Sequence, residues 1–125
     1  MKDSTQKEDT SAEAALDGFL EEVCNGSVEA HGEVFQDRAA VFGFEDGLFV
    51  TADRQTYMGF VRMMGSHQKV RRNVEWRQLN GRIASACIVE NNGPSKRVSF
   101  MTMLLFEAGW KIISLTFDAR TDGAL

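Results

Sequence analysis

Apolar residues recur at helical spacing early in the chain and at alternate positions from Val70 onward, so helices precede a block of strands. Leu16, Phe19, Leu20 and Val23 fall on one face of a helix, with Asp17, Glu21 and Glu22 off it. Thr10-Ser11-Ala12-Glu13 has the form of a capping box that starts this helix, and Asn25-Gly26 ends it. Ser27 caps a shorter second helix with Val28, His31 and Phe35 on one side. Residues 39–44 and 48–50 are short β-type runs around Glu45-Asp46-Gly47, whose Asp-Gly is a hairpin signal. A third helix starts at Thr51 as N-cap, with Asp53 in the first turn. It carries Tyr57, Phe60, Val61 and Met64 on its apolar stripe and closes at Gly65. The alternation then predicts strands over 70–79, 83–90, 97–106 and 110–119. Asn80-Gly81, Asn91-Asn92-Gly93-Pro94 and Ala108-Gly109 form the turns of this four-strand antiparallel meander.

The last hairpin is apolar on both faces. Helices cover one side, and something else must cover the other. One parity leaves Phe100, Leu104, Ile113, Leu115 and Phe117 outside, a patch larger than a soluble monomer ordinarily exposes. The expectation is a homodimer joined sheet to sheet.

A chain of 125 residues with 43% hydrophobic and 26% charged residues is sized for one domain with its own core. The boundaries read as a disordered tail over 1–9, one domain over 10–120 and a flexible C-terminus over 121–125. The net charge of −4 speaks against nucleic acid. The basic cluster of Lys69, Arg71, Arg72, Arg77 and Arg82 around Trp76 reads as a solvated strand face or a salt-bridged dimer rim, with Arg71 and Arg77 beside Glu75. Cys24 and Cys87 sit in apolar runs and read as reduced, buried thiols. With no leader-like segment or apolar span of membrane length, the expected setting is the cytoplasm, without membrane contact.

This order of elements resembles the nuclear transport factor 2-like (NTF2-like) superfamily, within it the bacterial lumazine-binding-like and polyketide-cyclase-like (SnoaL-like) branch. The residues that carry the resemblance are Phe35-Gln36-Asp37-Arg38-Ala39, Phe44-Glu45-Asp46-Gly47, Thr51-Ala52-Asp53-Arg54 and the run from Phe106-Glu107-Ala108-Gly109 through Trp110-Lys111-Ile112-Ile113-Ser114. It covers residues 12–119. The resemblance implies an α+β cone, three N-terminal helices packed in a curved, mainly antiparallel sheet, with an apolar pocket. The superfold hosts both enzymes and non-catalytic modules. Two departures bear on chemistry. Gln36-Asp37-Arg38-Ala39 stands where relatives often carry His-Pro-Asp-Ala, and Met101 stands where steroid-isomerase-like members place an acid. A keto-steroid mechanism needs two acids and a tyrosine, and no second acid is evident.

By the resemblance, Met101 and Met103 line the cone opposite Phe19, Tyr57 and Phe60. Tyr57, the only tyrosine, supplies either a pocket hydrogen bond or a satisfied core hydroxyl, and Asp118 either reaches the cone mouth or is solvated. Asp37 and Asp46 read as turn-forming or solvated acids. His31 and His67 have no ligand-spaced neighbours, so no metal and no cofactor is expected. Two functions stay open. One is a pocket that binds a small hydrophobic molecule, or transforms it by proton-transfer or cyclase-type chemistry. The other is a non-catalytic dimerisation or partner-binding module in which the same residues fill a closed core.

Overall fold

In the computed structural model, residues 2–25, 32–64 and 71–121 are described. Helix α1 spans Lys2–Cys24 and is followed by β1 (Phe35–Glu45), β2 (Leu48–Asp53), helix α2 (Arg54–Met64), β3 (Arg71–Asn80), β4 (Ile83–Asn92), β5 (Ser95–Phe106) and β6 (Gly109–Thr121). The predicted α+β order holds, with the alternating block forming the four-strand meander. The helix starts ahead of the Thr10 capping box, over the segment read as a tail. Its first residues, KDSTQKED, contain neither glycine nor proline to stop it. The second predicted helix falls mostly on residues 26–31, outside the described residues. Helical backbone is seen at 32–34, and Phe35 already opens β1. Residues 122–125 of the expected flexible C-terminus also lie outside the described residues.

The strands form one curved six-stranded sheet in the order β2-β1-β6-β5-β4-β3. Only the β1–β6 pair is parallel. The β1–β2 hairpin turns on Asp46 (φ 49°) and Gly47 (φ 86°), both left-handed, as a two-residue Asp-Gly turn requires. Asp46 then ties this hairpin to β6. Its N–H donates to Ala119 O (2.8 Å), and its carboxylate accepts from Thr121 N–H (2.7 Å).

Thr51 is still in β2, and the N-cap of α2 is Asp53, whose Oδ1 accepts the Thr56 N–H at 2.8 Å. Arg54 holds the helix start, donating to Gly32 O (2.6 Å) and Phe35 O (3.2 Å). Among the described side chains of α2, Met58 is buried and Tyr57 partly buried, whereas Phe60 of the predicted stripe is exposed; Val61 and Met64 of that stripe lie outside the described side chains.

Both helices pack on one face of the sheet, α1 against β3 and β6 and α2 against β1 and β2. Two β-bulges decide which side chains join them there. In β6, Thr102 faces Ser114 and Met103 faces Ile112, so Ile113 is an extra residue and alternation reverses beyond it. Leu115 and Phe117, which one parity would leave outside with Phe100 and Leu104, therefore point inward with Trp110 and Ile112 and are buried. In β3 the extra residue is Glu75, between Val74 and Trp76. The reversal brings Arg72 and Arg77 to the inner face, instead of leaving Arg77 beside Glu75 on a solvated one. Arg77 there pairs with Glu13 (2.7 Å) and Asp17 (2.5 Å) of α1. Among the described residues no helix is long and apolar enough to cross a membrane.

Candidate functional site at the edge of the inner face

Successive rows of residues cross the inner face, set by strand register. The row through Val41, Leu115, Met101 and Ala86 is apolar, and so is that through Ile112, Met103 and Ala84. Phe19 of α1 and Tyr57 of α2 join the same cluster. Four of the residues expected in a pocket, Phe19, Tyr57, Met101 and Met103, are thus brought together. Phe60 and Asp118 are not. Phe60 is exposed on α2, and Asp118 points from the outer face of β6 to Arg120 at 3.4 Å.

Charge gathers at one end of this interior. Register aligns Arg72 with Glu90, Glu90 with Arg97, Arg97 with Ala119, and Ala119 with Glu45. Arg72 Nε meets Glu90 Oε2 at 2.9 Å, and Arg97 Nη2 meets Glu45 Oε1 at 2.7 Å. Arg72 also reaches Cys24 O at the end of α1 (3.5 Å), and the Arg97 guanidinium lies 4.6 Å from the centroid of the Phe117 ring. Formal charge sums to zero over the two arginines and two glutamates.

Tyr57 stands behind this row. Its ring packs on Phe35 with centroids 5.2 Å apart, and burial pushes its hydroxyl above the usual range, opposed chiefly by the neighbouring Arg97 guanidinium. The tyrosine is a neutral hydroxyl at ordinary pH. Two residues along β5 from Arg97, Ser99 is fully buried on the same strand face. Burial likewise raises the Cys24 thiol, with Arg72 opposing, and both cysteines are free. At the far end of the inner face Trp110 Nε1 is buried without a hydrogen-bond partner.

This arrangement suits recognition more than proton transfer. Each carboxylate is already engaged by an arginine, so a substrate C–H would have to compete for its lone pairs. Among the described residues no three His, Cys, Asp or Glu side chains converge as a metal site. Sequence reasoning missed Glu90 and Arg97 and left Arg72 on a solvated face. The signal was present in part: the turn at Gly93-Pro94 places Glu90 opposite Arg97 by counting back from it. The bulge at Glu75 carries no comparable mark.

The helices on one face of a curved sheet define an NTF2-like protein. Solved structures agree on the fold. An NTF-2 like protein of unknown function from Silicibacter pomeroyi matches at 18% identity over 93% of this chain and 98% of that one, with a TM-score of 0.72. A counterpart of unknown function from Shewanella baltica is 16% identical over 93% of this chain and 96% of that one, TM-score 0.72. One from Methylobacillus flagellatus is 15% identical over 92% and 94%, TM-score 0.73. No curated protein matches the chain at a significant level. Residues 7–118 match the family described as "Putative lumazine-binding", and the chain belongs to that family.

Proposed function

We propose that this protein binds a small, largely apolar molecule on the inner face of its sheet. The body of the ligand lies against Phe19, Met101 and Met103, and its polar end meets Tyr57, Arg97 and Arg72. The observation that carries this reading is a buried, neutral tyrosine hydroxyl behind a charge-balanced row at the edge of an otherwise apolar interior. Apolar walls with a few convergent polar groups are the usual composition of a ligand site. Methionine walls accept flat or irregular ligands alike. Because the row is neutral overall, it favours an uncharged ligand with strong hydrogen-bonding groups. The sequence donor, acceptor, donor along Arg72, Glu90 and Arg97 complements a carbonyl, N–H, carbonyl edge such as that of a pteridinedione, the ring that the family's description names. The two free thiols suit a reducing compartment such as the cytoplasm.

Thermal-shift and fluorescence-anisotropy titrations with lumazine and a panel of neutral bicyclic aromatics test the reading. A ligand that binds only the folded chain raises Tm. Tyr57→Phe and Arg97→Met should each weaken that response, and Met101→Trp should abolish it while leaving the fold intact. If no member of the panel shifts Tm, the interior acts as packing alone. The complete burial of Leu16, Met103 and Ile112 favours that second reading, a closed-core module without a ligand.

A further inference from the structure

Ser99 is the one hydroxyl, amide or charged side chain buried among the described residues, with 1% of its surface accessible. It stands on the inner face of β5, two residues inward from Arg97 and two short of Met101, about 7 Å from each at the rise of a strand. It therefore marks the junction between the charged row and the apolar interior. Its neighbours across the strands give its hydroxyl nothing to bond. Level with it are Ile88 on β4 and Phe117 on β6, both buried hydrocarbon, and no hydrogen bond joins it to a described residue. The Phe117 ring leans away from it over Gly43, on the far side of β6. Arg97, the nearest charged group along the strand, is turned to Glu45 and to that same ring. A hydroxyl enclosed by hydrocarbon gives up its bonds to water, and an alanine or valine would fill this place without that loss. A partner that enters from outside accounts for the serine.

We infer that Ser99 sets the specificity of the inner-face site by donating a hydrogen bond to an acceptor on the ligand's second ring, deeper than its carbonyl, N–H, carbonyl edge. The inference rests on the binding mode proposed above and adds which ring system the site selects. With that edge along Arg72, Glu90 and Arg97, the rest of the ligand runs down the strands toward Ile88 and Ser99. Ser99 shares β5 with Arg97, so it faces the side of the second ring that adjoins the carbonyl bound to Arg97. In a pteridinedione that position is a ring nitrogen, an acceptor whose lone pair lies in the ring plane. In the benzo-fused analogue, quinazoline-2,4-dione, it is a C–H. The two compounds carry the same polar edge and nearly the same shape, so the charged row alone does not separate them. Ile88 and Met101 supply apolar contact to either ring. A site built to hydrogen-bond one ligand atom rejects the analogue that lacks it, because the buried group is then left unpaired.

The test is isothermal titration calorimetry of lumazine and quinazoline-2,4-dione against the wild-type chain, Ser99→Ala, Ser99→Cys and Tyr57→Phe. The wild type should bind lumazine more tightly than the analogue. Ser99→Ala should lose about tenfold in affinity for lumazine and little for the analogue, so the ratio of the two constants falls by that factor. Ser99→Cys keeps a similar shape with a weaker donor and should fall between the two, which keeps the test open should one variant fail to fold. Tyr57→Phe should weaken both compounds alike and leave the ratio in place. Thermal unfolding without ligand separates a structural serine from a binding one. Ser99→Ala should unfold at the wild-type temperature or above it, since no internal hydrogen bond is lost. A clearly lower Tm in unliganded Ser99→Ala overturns the role of Ser99, and so does a ratio that this variant leaves unchanged; in either case the proposed site still stands. Failure of the wild-type chain to bind either compound refutes that site and this inference with it.

Discussion

Gly43 is where the packing of the inner face leaves least room, and Gly43→Ala puts a number on it. The glycine sits in β1 level with Phe117 of β6, and a Cβ built there falls 2.5 Å from Phe117 Cδ1 and 2.6 Å from Cγ, with the Phe117 carbonyl oxygen also in its way. Gly43 has no positive φ that would itself demand glycine. Replacing glycine by alanine inside a strand therefore favours folding by about 0.5–1 kcal/mol through backbone entropy alone. The clash opposes this. One obstacle is backbone of the neighbouring strand, and the other is a buried ring pinned between Gly43 and the Arg97 guanidinium, so relief requires moving β1 or displacing Phe117. Overpacking of this kind costs about 1–3 kcal/mol, and a clash with backbone belongs near the upper end. The net expectation is a loss of about 1–2 kcal/mol, which lowers Tm by about 4–8 °C for a domain of this length. Thermal unfolding at one fixed protein concentration measures it, the fixed concentration removing any contribution from association. Gly43→Ala combined with Phe117→Leu should recover part of the loss, because the two sites share one contact. An unchanged or higher Tm in Gly43→Ala would refute the packing described for this row.

The Asp53 cap has a pH signature. Its carboxylate is held below the usual range, first by the Thr56 backbone N–H, so its stabilisation is present above the ordinary value of 3.8 and disappears as pH falls through the lower folded value. Asp53→Ala should therefore lower Tm at pH 7 and make little difference near pH 2, and an equal effect at both would exclude the ionised cap. Leu115→Glu places a charge in the core and should cost about 3 kcal/mol or more, with loss of native circular dichroism. A folded variant would mean that Leu115 faces outward after all. Arg77→Met should cost no more than about 1 kcal/mol and lose even that in high salt, because its partners Glu13 and Asp17 are half exposed. Urea titrations at two ionic strengths decide it.

Much of the architecture was legible because its signals are local. Asp-Gly at 46–47 requires left-handed backbone and receives it, and the run of turns after Asn80 spaces the meander as observed. The interior was partly legible: alternation puts Met101 and Met103 on one face of β5, and the family resemblance, not the alternation, assigned that face to the core, where both are buried. What escaped depends on pairing between strands. A bulge is a count of residues on one strand against those on its neighbour, so neither Glu75 nor Ile113 announces it in its own sequence. Each bulge reverses everything beyond it, so simple alternation could not decide which parity puts Leu115 and Phe117 outside, and it left Arg77 beside Glu75 on a face read as solvated or as a salt-bridged dimer rim. The same reversal puts Asp118 on the outer face, the solvated one of its two readings.

That reversal also decides what the inner and outer faces of the sheet carry. Without the bulge, simple alternation through Ile113 would carry Thr116 and Asp118 inward and send Leu115 and Phe117 to the face that bears Phe100. The interior would then lose the ring that seats Arg97, and the outer face would become still more apolar. With it, Phe117 closes the apolar interior directly beneath the charged row, while Thr116 stands between Phe42 and Phe100. Leaving Ile113 unpaired in β6 thus sets both the polar edge of the inner face and the composition of the outer one. Deleting Ile113 removes the unpaired residue and is expected to leave both faces as they are, since Ile112, Ser114 and Leu115 then meet Met103, Thr102 and Met101 in regular alternation, whereas Phe100→Glu acts on the outer face alone and leaves Arg97 on Phe117.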